Sequence, residues 1–125
     1  SYCRIASATT TVKAQVILPK WRPRRKAEPD VRLFWGTLFA DIKRHEEQHV
    51  DIAKAHARDL ETRLKAVGRQ KTCAIAQAKA KAVTDAALAK HDKAQEQFDR
   101  VETINFESRI LRLLRYRIEQ SQAKK

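Results

Sequence analysis

The chain has 125 residues, of which 42% are hydrophobic and 34% are charged. This composition is typical of one globular domain with a modest core rather than of a disordered chain. Aromatic residues make up 6% and there are two glycines, which favours helices over a sheet-rich fold. The net charge of +12 indicates either an anionic partner or a charge that only keeps the protein dissolved.

The N-terminal part, residues 1–29, is predicted to contain a β-strand followed by a basic loop. Residues 9–18 are rich in β-branched side chains, with apolar residues at alternate positions, and Pro19 ends the run. A lone strand is not stable, so we expect its partner either within residues 3–7 or in a segment upstream.

The basic segment at residues 20–26 has two interpretations. It is either a connector whose Trp21 packs on the core, which we favour, or a loop that binds phosphate or lipid headgroups. The two cysteines, Cys3 and Cys73, are too far apart for a C-x-x-C site, which leaves a disulfide or two free thiols. Because the chain contains no Met, we expect that a signal segment was removed or that the N-terminus was trimmed.

A long amphipathic helix is predicted over residues 30–67. Asp30, directly after Pro29, is the expected N-cap, and Gly68 suits the C-terminal cap. Apolar residues and histidines recur along one face at steps of three and four, as an amphipathic helix requires. They are Trp35, Leu38, Ile42, His45, His49, Ile52, His56, Leu60 and Leu64.

The centre of this helix carries the motif H-E-x-x-H at residues 45–49. Positions i and i+4 lie on one face of a helix, so His45 and His49 can bind a single metal ion. Glu46 follows the first ligand, where zinc peptidases have the carboxylate that takes a proton from water. The alternative is a solvated helix face that matches the motif by chance, but both histidines lie on the apolar face. His56 is about 16 Å from His45 along a straight helix, and we expect it either to support the ligands from outside the metal site or to be structural.

A second helical region is predicted over residues 72–120, with Thr72 as its cap. Its expected inner face combines small residues with one histidine: Ala76, Ala80, Val83, Ala87, His91, Ala94 and Phe98. Residues 102–108 have lower helix propensity, and we expect a break or kink there. Residues 110–118 are basic and amphipathic and are expected to fold onto the domain, the alternative being contact with a membrane surface or a partner.

The third metal ligand is predicted from the packing of these two helices. Long helices joined by a short turn pack antiparallel, and the predicted turn brings Glu47 opposite Asp92. His91 is therefore the expected third ligand. Asp92, Asp99 and Glu102 are the alternatives, and Glu102 would require a shifted register or a kinked helix.

The predicted fold is therefore α+β and mostly α. A long antiparallel helical hairpin carries the H-E-x-x-H motif, and a short N-terminal β-strand or hairpin packs against it. Residues 1–125 are expected to form a single zincin-like domain, truncated at its N-terminus.

Several segments together resemble a family of bacterial predicted secreted zinc-dependent proteases, catalogued as a domain of unknown function. The matching segments are Cys3, V-I-L-P-K-W at 16–21, F-W-G-T-L-F-A-D-I-K-R-H-E-E-Q-H at 34–49, Cys73, and Phe98-Asp99. The resemblance implies an N-terminal β portion longer than the one present. It also implies that the two cysteines form a disulfide and that the protein is periplasmic or secreted.

One departure from this family concerns the third ligand. In relatives the aromatic-Asp pair is often followed by Thr and then His-Gly, whereas residues 100–106 here contain neither His nor Gly. If that histidine is a ligand in relatives, this chain must either use another residue, such as His91 or Glu102, or bind metal poorly.

The leading functional hypothesis is a Zn²⁺-dependent metallopeptidase of the bacterial cell envelope that acts on a peptide or protein. His45, His49 and His91 would hold the zinc ion and Glu46 would be the general base. The alternative is a non-catalytic envelope binding module. Its metal site would be structural or vestigial, and its basic surface would bind an anionic polymer or a membrane. Nucleic-acid binding is supported by charge alone and is disfavoured.

Overall fold

Three helices make up most of the chain. The computed structural model describes residues 1–21 and 26–123, so residues 22–25 of the predicted basic loop lie outside the described residues. The helices are α1 (Pro29–Lys65), α2 (Cys73–Ile104) and α3 (Phe106–Ala123). None of them is long and apolar enough to cross a membrane.

The two ends of α1 follow from local backbone chemistry. The helix begins at Pro29, whose fixed φ suits the first helical position. Asp30 therefore lies inside the first turn rather than at the N-cap, where its charge still favours the positive end of the helix dipole. Beyond the C-terminus, Gly68 has a φ of +73°, the left-handed conformation that was predicted for a glycine cap.

The predicted inner faces of α1 and α2 are confirmed. Every residue of the predicted α1 face is half-buried. The same holds for the α2 face apart from Ala76 and Ala87, which are buried. Thr72 caps α2 as predicted, since its hydroxyl accepts a hydrogen bond from the backbone N–H of Ile75 at 3.1 Å.

The predicted break between residues 102 and 108 is found at Asn105, between α2 and α3. The Asn105 side-chain amide donates a hydrogen bond to the backbone carbonyl of Val101 at 3.0 Å, and such local bonds compete with regular helix geometry. α3 then packs onto the protein through Ile110, which is 6% exposed. The prediction that this basic segment folds onto the domain is confirmed.

The predicted N-terminal β-strand is wrong. Residues 9–18 have no strand conformation, and the β-pairing in the described part of the chain is a single bridge between Cys3 and Gln70. The β-branched composition reports only a local preference, whereas a strand also needs a neighbour that supplies backbone hydrogen bonds. Here the backbone N–H of Thr10 donates to the carboxylate of Glu61 on α1 instead. The fold is therefore helical rather than α+β.

Contacts divide the chain into two compact units, each with segments of α1 and α2. The first unit consists of Ser1–Ala14 and His49–Gln97, and a disulfide joins Cys3 to Cys73 within it. The predicted pairing of the two cysteines is thus confirmed.

The second unit consists of Gln15–Gln48 and Phe98–Lys125, and it contains α3. In this unit the ring of Trp21 lies 5.6 Å from that of Trp35, which in turn lies 6.3 Å from Phe39. The predicted packing of Trp21 on the core is confirmed by this aromatic cluster.

Candidate metal centre

The two motif histidines lie one turn apart on α1, which is a single unbroken helix through this region. Both rings are half-buried. Residues four positions apart lie on the same face of a helix, so both rings can reach a single ion. Their spacing is a property of the helix itself, because no Gly or Pro interrupts the sequence between Gly36 and Gly68.

The His45 ring is fixed by three neighbours in the second unit. Its Nδ1 lies 3.0 Å from a carboxylate oxygen of Glu102, and its Nε2 lies 2.9 Å from a carboxylate oxygen of Asp99. The ring of Phe98 stacks on the imidazole, with centroids 4.7 Å apart and planes inclined by 24°. A ring held on both edges and on one face has little freedom to rotate.

The contact between His45 Nε2 and Asp99 fits a metal-binding pair. An imidazole lone pair and a carboxylate lone pair repel at 2.9 Å, so a proton or a metal ion must lie between them. Two ligand atoms of one tetrahedral zinc ion are about 3.3–3.6 Å apart, given bond lengths of about 2.0–2.2 Å. The observed separation therefore requires a small adjustment to admit zinc.

The ring of His49 is also held through its Nδ1, by a residue of the first unit. Nδ1 of His49 is hydrogen-bonded to the side-chain oxygen of Gln95, whose amide group donates to the backbone carbonyl of His49 at 2.9 Å. In both motif histidines Nδ1 is thus engaged by an oxygen acceptor, which directs Nε2 toward coordination. The chemistry of the donors fits zinc, since histidine and carboxylate ligands are usual in catalytic zinc sites.

His91, the predicted third ligand, lies on the Nδ1 side of His49. Its Nε2 is 3.1 Å from the Gln95 amide nitrogen, and its ring meets that of His56 edge-on at 5.6 Å. The helix register thus differs from the predicted one, since Gln95 faces His49 and His91 faces His56. Sequence reasoning assumed a symmetric turn, but the bridge between Cys3 and Gln70 occupies the connection between the helices.

Two carboxylates and two arginines form a cluster behind His45. Arg109 on α3 bonds both oxygens of Asp41, at 2.9 and 3.2 Å, and an oxygen of Glu102 at 3.1 Å. Arg44 also bonds both acids, with 3.2 Å to Asp41. The carboxylate charges are therefore neutralised within the second unit.

Burial and pairing have opposite effects on these acids. Burial alone would raise the pKa of Asp41, but the hydrogen bonds and charges of Arg109 and Arg44 outweigh it and lower this pKa. Burial would likewise raise the pKa of Glu102, and the bonds from Arg44 and His45 with the arginine charges lower it. Both groups are consequently carboxylates at neutral pH.

A cavity of about 320 Å³ lies beside the motif in the second unit. Glu46 lines it, so the carboxylate expected to act as general base faces a space large enough for a substrate group. Its other lining residues are Asp41, Ile42, His45, Glu102, Thr103, Phe106 and Arg109. Since both arginine-paired acids are neutralised, the remaining surface is largely apolar.

Sequence reasoning did not identify Asp41, Arg109, Gln95 or the stacking role of Phe98. Phe98 was predicted only as a residue of the inner face of α2 and as part of the family resemblance, whereas Asp99 was one of the alternatives for the third ligand. The available signal was Asp41 itself, an acidic residue four positions before His45 in a helix. Its partner on α3 has no comparable local signal.

The comparison with known families assigns the chain to a class. The family described as "Bacterial protein of unknown function (DUF922)" matches residues 1–106. The chain belongs to this bacterial family. No curated protein and no solved structure shows a significant match to it.

Proposed function

We propose that the protein is a zinc-dependent metallopeptidase in which His45, His49 and Asp99 hold the metal. Asp99 replaces His91 as third ligand in this proposal because it contacts Nε2 of His45 directly. This contact is the observation that supports the proposal most, since it adds a carboxylate to a histidine pair at i and i+4. Two histidines and one carboxylate are a known ligand set of zinc peptidases.

The protein's own residues then have distinct tasks. Zinc supplies a Lewis acid that lowers the pKa of water and polarises a carbonyl group. Glu46, at the edge of the cavity, accepts a proton from the attacking water and returns it to the leaving amine. The hydrogen bonds of Glu102 and Gln95 to the two Nδ1 atoms keep both imidazoles in one orientation.

The cavity supports a peptide substrate with an apolar side chain next to the scissile bond. Its volume of about 320 Å³ is at the lower end of known ligand pockets. Ile42 and Phe106 contribute apolar surface, and two acidic side chains of the wall, Asp41 and Glu102, are paired with arginines. An acidic side chain would lose its hydration there, and Arg109, the arginine in the wall, is already paired.

The proposed location is the bacterial cell envelope or the exterior. The disulfide supports it, because such bonds persist in oxidising compartments. The net charge of +12 adds an anionic envelope polymer or lipid surface as a proposed partner.

Replacement of the general base tests the proposed activity. We expect Glu46→Gln to bind zinc like the wild type but to hydrolyse peptides about 10²–10⁴-fold more slowly, because proton transfer is lost while both histidines remain. Mass spectrometry measures the zinc content. Cleavage of a peptide library that contains apolar and acidic residues measures the activity. Glu47→Gln is the matched control, since Glu47 is exposed and pairs only loosely with Lys43 at 3.9 Å.

Equal turnover by Glu46→Gln and wild type on the same peptide would refute the role of Glu46. A folded wild-type protein that neither retains nor binds zinc would instead favour the non-catalytic envelope binding module.

A further inference from the structure

Arg109 connects α3 to the metal centre without touching a proposed ligand. Its guanidinium group bonds Asp41 on α1 through Nε and Nη2 and Glu102 on α2 through Nη1. We infer that Arg109 is a positioning residue that holds the Glu102 carboxylate against Nδ1 of His45. The effect of Arg109 on zinc binding rests on the proposed function, but the orientation of Glu102 and His45 can be tested without catalysis.

The two oxygens of Glu102 have different partners, and this division carries the inference. Oε2 accepts a hydrogen bond from Arg109 at 3.1 Å, while Oε1 lies 3.0 Å from His45 Nδ1 and also accepts a hydrogen bond from Arg44 at 2.5 Å. Arg109 also donates to the backbone carbonyl of Glu102 at 3.3 Å. With both its side chain and its backbone held, Glu102 presents one defined oxygen to the imidazole.

The shape of the arginine side chain matters as much as its charge. Its planar fork binds both oxygens of Asp41 and still reaches Glu102, which the single ammonium group of a lysine cannot do in this arrangement. The three side chains are 4–14% exposed. Little water is available to replace a lost contact, so the geometry of the cluster depends on the arginine.

The position of Arg109 in the chain makes this support separate from the motif. The match to the bacterial family ends at residue 106, where α3 begins. A residue beyond the matched segment therefore braces the histidine of the H-E-x-x-H motif. The Phe106 ring, 5.8 Å from the guanidinium carbon, adds a cation–π contact within α3.

The role predicts which ring nitrogen of His45 carries a proton. With Glu102 held in place, Nδ1 donates and Nε2 faces Asp99 and the metal. Without Arg109, Glu102 is left with Arg44, whose side chain is 36% exposed, and the carboxylate can turn away. The imidazole then also populates the tautomer in which Nδ1 carries the lone pair. In that tautomer the lone pair points away from Asp99 and the proposed zinc position.

The experiment compares Arg109→Gln and Arg109→Lys with Arg112→Gln in the full chain. Arg112→Gln is the matched control, because it removes the same charge from an exposed position of the same helix. Zinc affinity is measured by competition with a chromogenic chelator, and ¹⁵N NMR reports the protonated nitrogen of His45 at one fixed pH. We expect Arg109→Gln to weaken zinc binding about 10–100-fold and to give a mixed tautomer, with no change in the control.

Arg109→Lys separates positioning from stability, and it keeps the test valid if Arg109→Gln does not fold. A lysine restores a positive charge, so we expect it to recover most of the thermal unfolding midpoint but not the zinc affinity or the single tautomer. Recovery of all three by lysine would reduce Arg109 to a structural charge and overturn the inference. So would zinc affinity and tautomer in Arg109→Gln that equal those of Arg112→Gln.

The outcomes also separate this inference from the proposed function. If the wild type hydrolyses peptides, but Arg109→Gln has the same zinc affinity and the same His45 tautomer as the wild type, the positioning role alone is overturned. A wild type that binds no zinc, but whose His45 tautomer changes with Arg109→Gln in the metal-free protein, would overturn the proposed function and leave the positioning role intact.

Discussion

Asp41 is a charged residue at a position that is 5% exposed. An isolated carboxylate at such a site would be strongly destabilising, and bonds from Arg109 and Arg44 offset that cost. The same bonds lower the pKa of Asp41 below its ordinary value of 3.8 and that of Glu102 below 4.5, despite the opposing effect of burial. Protonation of these acids is therefore linked to unfolding.

The direction of this linkage predicts acid sensitivity. Because both pKa values are lower in the folded protein, the unfolded chain binds protons first as the pH falls. The stabilising contribution is present above about pH 4.5 and is lost at lower pH, as the folded pKa values are approached. We expect the urea midpoint to fall steeply below about pH 4.5 and Asp41→Asn to make this fall shallower.

At neutral pH we expect Asp41→Asn to lower the free energy of unfolding by about 3 kcal/mol. This is the lower end of the cost of breaking a buried ion pair, because Arg109 still pairs with Glu102 in the variant. Asp85→Asn is the control, because Asp85 pairs with Lys81 on an exposed helix face. Equal effects of the two substitutions would contradict the prediction.

The candidate site divides into a part that sequence can predict and a part that it cannot. The spacing of His45 and His49 is a local rule of helix geometry, so their common face follows from the sequence. Asp41 and Arg109 are 68 residues apart, and their pairing depends on how α3 follows the break at Asn105. With 27 basic and 15 acidic residues in the chain, composition does not single out this pair.

At the scale of the elements, helix periodicity was informative and strand propensity was not. The inner faces of α1 and α2, the cap at Thr72 and the left-handed Gly68 all follow from local rules. The register of the helices does not, because it depends on a connection tied to Cys3 through Gln70. The predicted strand at residues 9–18 fails for a related reason: a strand is defined by a partner elsewhere in the chain.

The cap of α2 gives a prediction at this scale. Thr72→Ala removes the hydroxyl that accepts the Ile75 N–H, so we expect a loss of about 1 kcal/mol in the free energy of unfolding. Thr62→Ala is the control, because the Thr62 hydroxyl donates to the carbonyl of Arg58 within α1 and caps nothing. Urea unfolding of both variants is the measurement, and a loss as large for Thr62→Ala would argue against a capping role.

At the scale of the whole molecule, the disulfide compensates for a small apolar core. Three apolar residues in the described ranges 1–21 and 26–123 are buried, namely Ala76, Ala87 and Ile110. Several large ones are exposed, among them Ile17 at 75% and Ile104 at 73%. The covalent link between residues 70 positions apart restricts the unfolded chain.

Removal of this link should be costly. We expect the double variant Cys3→Ser, Cys73→Ser to be less stable by about 4 kcal/mol, the loop-closure estimate for a link of this length. Urea unfolding with and without a phosphine reductant is the measurement. The wild type in reductant should match the variant, and the variant should not respond to reductant. A wild type indifferent to complete reduction would contradict this account.

The bond between Cys3 and Cys73 also determines how self-digestion would be seen. One cut in the backbone between the two cysteines yields two pieces that remain covalently attached. On a gel without thiol, nicked and intact molecules run as one band. A preparation of a peptidase that digests itself in this interval would pass for homogeneous material until it was reduced.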